Sequence, residues 1–244
     1  MKKQFALLIA FLGIGFVPIY LGAQQPATAQ QPEPRMSAYT HAESIANLDI
    51  LKAQLRQYHE CACTCGCYAK DLDRQADRAI GFLRIRAANR RPKEKLAMVL
   101  DIDETTLSNY QQLLKADFGY NKDAFTAWVL SAQALAIPGT LRLYQEAQRL
   151  GVNVFFLTGR AEEQRAATEQ NLRSQGFENW QQLIMRPPTQ ASATATAYKS
   201  AARADIQAQG YRMVLNVGDQ WSDLKGQPEA EFSVKYPDPY YFIP

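Results

Sequence analysis

Residues 97–105 read AMVLDIDET, an apolar run that ends in Asp101 and Asp103 with a single residue between them. Side chains two residues apart on an extended chain point to the same side, so both carboxylates can reach one ligand where the strand ends. Two neighbouring acids repel each other, and the usual reasons for such a pair are a bound cation, a raised pKa, or both. Alone, the segment is compatible with such a site and equally with a polar loop at the surface.

The same pattern recurs twice, at residues 152–160 (VNVFFLTGR) and 211–219 (YRMVLNVGD). Each run is apolar on both faces, which is typical of strands buried within a parallel sheet. A weaker strand is expected at about 182–185. Helical spacing, with a glycine just past the last turn, is found between the strands over residues 138–150, 161–175 and 198–209. This alternation predicts an α/β fold with a doubly wound parallel sheet.

The N-terminus predicts export. Lys2 and Lys3 precede an apolar run broken by Pro18, and residues 27–29 (ATA) fit the small-residue pattern of a cleavage site. We expect a periplasmic or secreted protein that has no membrane contact after its signal is removed; the alternative is an uncleaved membrane anchor. The expected organisation is a signal peptide over 1–29, a flexible linker over 30–40 and a folded domain over 41–244, which begins with helices over 42–58 and 68–87.

Charge argues against a nucleic-acid partner. The formal net charge is +3, and the expected signal peptide contributes two of the positive charges, Lys2 and Lys3. The mature protein therefore carries about +1, without the basic field that nucleic-acid polymers require.

All four cysteines lie in the segment CACTCGC, at Cys61, Cys63, Cys65 and Cys67. An even number of cysteines in an exported protein predicts disulfides. Bridges between cysteines two apart are strained in an extended chain, and the spacing is not that of common zinc sites. We therefore expect local or intermolecular disulfides, the second of which would link a homo-oligomer.

A parallel sheet brings the carboxyl ends of its strands to one edge, and here those ends carry chemistry. The expected site contains Asp101, Asp103, Thr158, Gly159, Asp219 and Asp223, together with Lys199 near the start of a helix. Clustered carboxylates favour Mg²⁺, which proteins commonly share with substrate phosphates. In such a site Asp101 can attack phosphorus, while Asp103 protonates the leaving oxygen and later activates water.

The motifs DIDET, FFLTGR, YKS and GDQWSDL, in this order, resemble those of the haloacid dehalogenase superfamily. The tail YPDPYYFIP and the sequence GDQWSDLKG are similar to its secreted acid phosphatase branch (subfamily IIIB), which includes class B and class C acid phosphatases and plant vegetative storage proteins. The resemblance covers nearly all of residues 42–244. It implies a Rossmann-like fold and hydrolysis of small phosphomonoesters, such as nucleoside monophosphates and aryl phosphates, through an aspartyl phosphate.

The resemblance also implies roles for individual residues. Asp101 is the nucleophile, Asp103 the general acid and base, and Thr158, Gly159 and Lys199 hold the phosphoryl group. Mg²⁺ is bound by the Asp101 carboxylate, the Asp103 backbone carbonyl and Asp219, with Asp223 orienting Lys199 or a metal-bound water.

A small helical cap is implied over about residues 108–137, where aromatic residues are clustered. Phe118 and Tyr120 are predicted to face solvent and contact the leaving group, whereas Phe125 and Trp128 are predicted to form the core of the cap.

Other functions remain open at this stage. A histidine acid phosphatase is excluded because His41 and His59 do not follow arginine in an R-H-G pattern, and both are expected on a helix surface. A signalling receiver is expected to be about half as long and to have neither signal peptide nor cap. The alternatives to a hydrolase are a phosphotransferase using the same site and a storage or binding protein with little turnover.

Overall fold

A computed structural model of the protein describes residues 46–61 and 67–243. Its helices are α1 (Leu48–Glu60), α2 (Tyr68–Ala88), α3 (Tyr110–Lys115), α4 (Lys122–Ser131), α5 (Pro138–Arg149), α6 (Arg165–Ser174), α7 (Ala195–Ala208) and α8 (Trp221–Leu224). Its strands are β1 (Lys95–Leu100), β2 (Leu107–Ser108), β3 (Leu135–Ala136), β4 (Asn153–Ala161), β5 (Gln182–Arg186), β6 (Tyr211–Gly218) and β7 (Phe232–Lys235).

The main sheet has the order β5-β4-β1-β6-β7, and its paired strands are all parallel. The central strand β1 lies between β4 and β6, with Leu100 opposite Phe156 on one side and Val217 on the other. The segments that follow β1, β4 and β6 therefore meet at the middle of one sheet edge. This confirms the predicted α/β class and places the three motif-bearing strands side by side.

The sheet is buried on both faces, as its apolar runs predict. Leu96, Met98 and Leu100 of β1 pack with α2 and α5 on one face. Ala97 and Val99 pack with α7 on the other face. Because successive side chains of a strand point to opposite faces, a strand covered on both sides must be apolar at every position.

Several boundaries differ from the sequence predictions. A 3₁₀ turn (Glu162–Gln164) precedes α6, so this helix begins at Arg165 rather than at residue 161. Helix α7 begins earlier than expected, because the Thr194 hydroxyl accepts a hydrogen bond from the Ala197 amide and caps the first turn. The edge strand β7 and the short helix α8 were not predicted.

Residues 107–136 connect the first two motifs. Strands β2 and β3 pair antiparallel and enclose α3 and α4. Asn171 of α6 anchors this unit, because its side-chain amide exchanges hydrogen bonds with the backbone of Ala134 at 2.7 and 3.0 Å. The segment corresponds in position to the expected cap, whose role as a cap stays a prediction.

A disulfide joins Cys61, which follows α1, to Cys67, which precedes α2, so one of the expected local pairings is present. Cys63 and Cys65 lie outside the described residues, as do the expected signal peptide, the linker and His41. Within residues 46–61 and 67–243, no helix combines the length and the apolar character needed to cross a bilayer.

The expectation that His59 lies on a helix surface is wrong. Its ring is half-buried and stacks on that of Tyr110, with centroids 3.3 Å apart. Its Nδ1 forms a hydrogen bond with the Tyr240 hydroxyl of the C-terminal tail. Burial lowers the pKa of His59 to about 4, so the ring is neutral at ordinary pH and joins the tail to α1.

Candidate active site

Lys199 connects two acids at the centre of the sheet edge. Its Nζ lies 2.5 Å from Asp101 Oδ1 after β1 and 2.5 Å from Asp223 Oδ1 of α8. All three side chains are buried. Burial alone would lower the pKa of Lys199, but the two carboxylates raise it, so the ammonium group stays charged. The structure thus brings together residues that are 98 and 24 positions apart in the sequence.

Three carboxylates converge around that ammonium group. Oxygen atoms of Asp101, Asp219 and Asp223 all lie within 4.8 Å of one another. Burial raises the pKa of Asp101 to about 7, helped by the repulsion of Asp223 and Asp103 and opposed by Lys199. The pKa of Asp219 is also raised, by burial and then by Asp101 and Asp223. A single lysine therefore does not neutralise the negative charge of the three carboxylates. Uncompensated negative charge on clustered oxygens is what a binding site for a divalent cation requires.

Gly218 makes room for Asp223. A Cβ atom built on this residue would lie 2.3 Å from Asp223 Cβ and 2.4 Å from its Oδ2. The same Oδ2 accepts a hydrogen bond of 2.8 Å from the backbone N–H of Gln220, and this bond holds the carboxylate against the end of β6. The glycine of the GDQWSDL motif is thus required by packing around the acid at the end of that motif.

Asp103 occupies a different environment from Asp101. Arg160 Nη2 lies 2.7 Å from its Oδ1, and Asn109 Nδ2 lies 2.8 Å from the same oxygen. Burial by itself would raise the pKa of Asp103. The positive charge of Arg160, its hydrogen bonds and the hydrogen bond from Asn109 together outweigh burial and lower the pKa. The two acids of the DIDET motif therefore differ: Asp101 faces the lysine and the acid cluster, whereas Asp103 is paired with arginine.

Thr158 and Gly159 lie at the end of β4, beside β1. The Thr158 hydroxyl oxygen accepts a hydrogen bond of 3.1 Å from the Arg160 amide, which leaves its own proton free to donate. Apart from its chain neighbours, no heavy atom of the described residues lies within 4 Å of a Cβ built on Gly159, so the backbone at this point borders open space. Gly159 lines the cavity above this edge, whereas Thr158 is fully buried and is not among the lining residues. The expected contacts of both residues with a phosphoryl group stay predictions.

A cavity of about 590 Å³ opens above this edge, with Asp101, Asp103 and Lys199 in its lining. Aromatic side chains from the segment after β2 and from the C-terminal tail supply much of the wall: Phe118, Tyr120, Phe125, Tyr240, Tyr241 and Phe242. Tyr120 is 79% exposed. Phe118 is half-buried instead, and its ring stacks on that of Tyr240 with centroids 6.0 Å apart.

Sequence reasoning gave no role to several groups that the structure places here. Gln220 Nε2 bonds both Asp219 and Asp238, at 2.7 Å each, and so ties the tail to the acid cluster. Glu104 is buried beneath Asp103, and burial with the repulsion of Asp103 raises its pKa to about 8. These residues lay within the quoted motifs, but polar residues in a motif do not reveal which partner each one contacts.

Comparisons with known proteins show the family to which the chain belongs. Residues 23–244 match the family described as HAD superfamily, subfamily IIIB (Acid phosphatase). "Acid phosphatase 1" of Solanum lycopersicum is 37% identical over 179 residues, which cover 72% of this chain and 69% of that protein. A "Stem 31 kDa glycoprotein" of Glycine max is 40% identical over 149 residues, and "Vegetative storage protein 1" of Arabidopsis thaliana is 32% identical over 151. The chain spans only 59% and 55% of these last two proteins.

Among solved structures, the class C acid phosphatase of Bacillus anthracis with tungstate bound has a TM-score of 0.64 to this chain. The two are 22% identical, and the match covers 80% of this chain and 86% of the bacterial one, which shows a shared fold. The resemblance inferred from the four motifs is confirmed. The chain belongs to the acid phosphatases of HAD superfamily subfamily IIIB, and it is by that membership a phosphoric monoester hydrolase.

Proposed function

We propose that this protein is an exported, Mg²⁺-dependent acid phosphatase that hydrolyses phosphate monoesters through an aspartyl phosphate on Asp101. The observation that carries the proposal is the position of Asp101. It is held by Lys199 at 2.5 Å, lies beside Asp219 and Asp223, and lines the cavity. A carboxylate so placed can meet a phosphate whose charge is offset by the groups around it.

The residues present fit a hard cation. Carboxylate oxygens of Asp101 and Asp219 are close together, and no hydrogen bond among the described residues uses the Asp103 carbonyl oxygen. These three groups would hold Mg²⁺, and Asp223 would remain with Lys199. When bound, Mg²⁺ supplies positive charge that lets an anionic nucleophile approach an anionic ester.

The chain's own groups then have separate tasks. Thr158, the Gly159 amide and Lys199 bind the phosphoryl oxygens and orient phosphorus toward Asp101. Asp101 forms a bond to phosphorus as the ester bond breaks, and Asp103 gives its proton to the departing oxygen. Asp103, now ionised, accepts a proton from the water that attacks the aspartyl phosphate, which releases phosphate and restores both carboxyl groups.

Aromatic residues in the cavity support substrates with a planar leaving group. Phe118 and Tyr120 line the same cavity as Asp101, opposite the aromatic residues of the tail. Rings in such a wall can stack on a phenyl group or a nucleobase, which favours aryl phosphates and nucleoside monophosphates.

Export is supported by the cationic, apolar N-terminus and by the disulfide between Cys61 and Cys67. Structural disulfides persist in oxidising compartments such as the periplasm and the cell exterior. The expected state is a protein released after signal cleavage.

A second candidate is a storage protein with little turnover. It is favoured by the likeness to proteins named for vegetative storage. Both functions are compatible with the same fold, and turnover separates them.

The test uses the purified mature protein with phenyl phosphate and a set of nucleoside monophosphates, assayed with Mg²⁺ and with chelator. Asp101→Asn should abolish hydrolysis, since loss of a nucleophile costs on the order of 10⁶-fold. Rapid acid quenching and mass spectrometry should find one added phosphoryl group on the peptide containing Asp101. Asp103→Asn should slow its release and increase the trapped fraction.

Asp205→Asn, an exposed aspartate of α7, is the matched control and should behave as the unsubstituted protein. Turnover that survives both chelation and Asp101→Asn would refute the mechanism. Absence of turnover with every ester would favour storage.

A further inference from the structure

Asn109 is a fully buried amide that follows β2 and precedes α3. Its Oδ1 accepts a hydrogen bond of 2.8 Å from Trp128 Nε1 of α4. Its Nδ2 donates to Asp103 Oδ1 at 2.8 Å and to Glu104 Oε2 at 2.9 Å. One side chain thus connects residues 107–136, the segment over the active site, with Asp103 and Glu104.

Trp128 decides which way this amide faces. An indole N–H can only donate, so the Asn109 atom that it contacts must be the oxygen. The amide nitrogen is then turned toward Asp103 and Glu104, where it meets two acceptors. The opposite orientation would place the amide oxygen against the Asp103 carboxylate and the amide nitrogen against the indole donor, and both of these hydrogen bonds would be lost.

This orientation of the Asn109 amide distinguishes the two carboxylate oxygens of Asp103. Its Oδ1 accepts from Arg160 Nη2 at 2.7 Å, from Asn109 Nδ2 at 2.8 Å and from Arg160 Nε at 3.1 Å. Its Oδ2 has a single, longer contact of 3.2 Å, with the same Arg160 Nε. With Oδ1 held by three donors, the less engaged Oδ2 is the oxygen able to carry a proton toward a leaving group.

We propose that Trp128 and Asn109 are positioning residues that orient Asp103 for proton transfer to the leaving oxygen. The inference rests on the proposed function, in which Asp103 Oδ2 gives its proton as the phosphorus–oxygen bond breaks. Trp128 is anchored for this task, because it packs against the main hydrophobic core and its helix belongs to a unit tied to Asn171. The segment over the active site therefore takes part in the chemistry through one hydrogen bond.

Trp128→Phe tests the proposal, since phenylalanine keeps an aromatic ring in place and removes only the N–H group and part of the area. The effect should depend on the leaving group. An alkyl alcohol needs a proton to depart, whereas nitrophenolate departs without one. We expect kcat/KM to fall about 10-fold or more for an alkyl phosphate, within the range that general acids supply. For p-nitrophenyl phosphate the fall should be under about 3-fold.

The control is Trp180→Phe, because Trp180 packs on Phe156 and Arg173 and, within the described part of the chain, makes no hydrogen bond to the site. It should change kcat/KM for neither ester. Asn109→Ser loses the Nδ2 donor and leaves Trp128 intact, so it should show the same dependence on the leaving group. This variant replaces Trp128→Phe in the test if Trp128→Phe folds poorly.

A double-variant cycle separates positioning from general damage. If Trp128 acts through Asp103, then Trp128→Phe should cause no further loss on the alkyl phosphate in an Asp103→Asn background. Equal losses on both esters, no loss on either, or full additivity with Asp103→Asn would overturn the inference and leave the phosphatase intact. Absence of hydrolysis by the unsubstituted protein would overturn the proposed function itself.

Discussion

The guanidinium group of Arg160 holds the carboxylate of Asp103 through three nitrogen–oxygen contacts of 2.7, 3.1 and 3.2 Å. Arg160 is the residue after Thr158-Gly159, so the strand that carries the proposed phosphate-binding groups also supplies the partner of the proposed general acid. In the proposed function, phosphate binding and proton transfer thus depend on two neighbouring strands of one sheet.

Arg160→Gln should shift the pH profile upward. Arg160 lowers the pKa of Asp103, so its removal raises that pKa and keeps the acid protonated to higher pH. The basic limb of kcat/KM for an alkyl phosphate should move to higher pH, because a neighbouring cation favours the ionised form of a carboxyl group and its removal favours the protonated form. Full pH profiles measure this.

The overall rate of Arg160→Gln should also fall, since Asp103 loses its main orienting partner. Arg149→Gln removes the same charge from the exposed surface of α5 and should leave the profile in place. A limb that moves to lower pH in Arg160→Gln would contradict the role given to Arg160.

The metal-free protein should lose stability as the pH rises from about 4 to about 7. In the folded state the carboxyl pKa is raised to about 7 at Asp101, to about 8 at Glu104 and to about 6 at Asp238, and it is raised also at Asp219. A folded state that holds more protons than the unfolded chain, whose aspartates titrate near 3.9, becomes less stable as the pH rises through this window. Thermal unfolding in chelator measures the change.

Mg²⁺ should oppose this loss, and its stabilising effect should be larger at pH 7 than at pH 5 because protons compete for the same carboxylates. Asp101→Asn should weaken both the pH dependence and the effect of Mg²⁺. Stability that increases from pH 4 to 7 in chelator would show that the cluster does not hold its protons.

Gly218→Ala should destabilise the fold and reduce turnover. The added Cβ atom would overlap Asp223, whose carboxylate is fixed by Lys199 and by the Gln220 amide. Overpacking of this kind costs about 1–3 kcal/mol, and displacement of Asp223 should also disturb Lys199. Urea unfolding and kcat/KM measure the two effects.

Gly81→Ala is the matched control, because a Cβ at this position in α2 meets nothing within 4 Å. It should leave activity unchanged and raise stability by up to about 1 kcal/mol. If Gly218→Ala were as stable as the unsubstituted protein, the close packing of Asp223 on β6 would be wrong.

The disulfide should contribute about 2 kcal/mol to stability. Closing a short loop between Cys61 and Cys67 removes conformations from the unfolded chain, and this entropy grows with loop length. The double variant Cys61→Ser with Cys67→Ser should therefore have a lower unfolding midpoint in non-reducing urea titrations. Reductant should lower the midpoint of the unsubstituted protein by more than it lowers that of the double variant, which keeps Cys63 and Cys65. Equal midpoints without reductant would contradict the prediction.

Much of the fold could be predicted because its signals are local. Strands β1, β4 and β6 each contain a run of consecutive apolar residues, and a run that does not alternate with polar residues indicates a sheet covered on both faces. The ends of those strands carry Asp101, Thr158 and Asp219, so the edge of a parallel sheet had to assemble them. Strand β7 escaped prediction because four residues at a sheet edge give too little periodicity.

The sequence by itself determined the fold class, the family and the placement of Asp101, Lys199, Asp219 and Asp223 at one sheet edge, since each depends on short-range pattern and on the order of motifs. Only the tertiary structure decided how those residues divide into partners. Lys199 lies between Asp101 and Asp223, Arg160 pairs with Asp103, and Trp128 turns Asn109 toward it. Hydrogen bonds depend on side-chain direction across distances of many residues, and no local pattern encodes that direction.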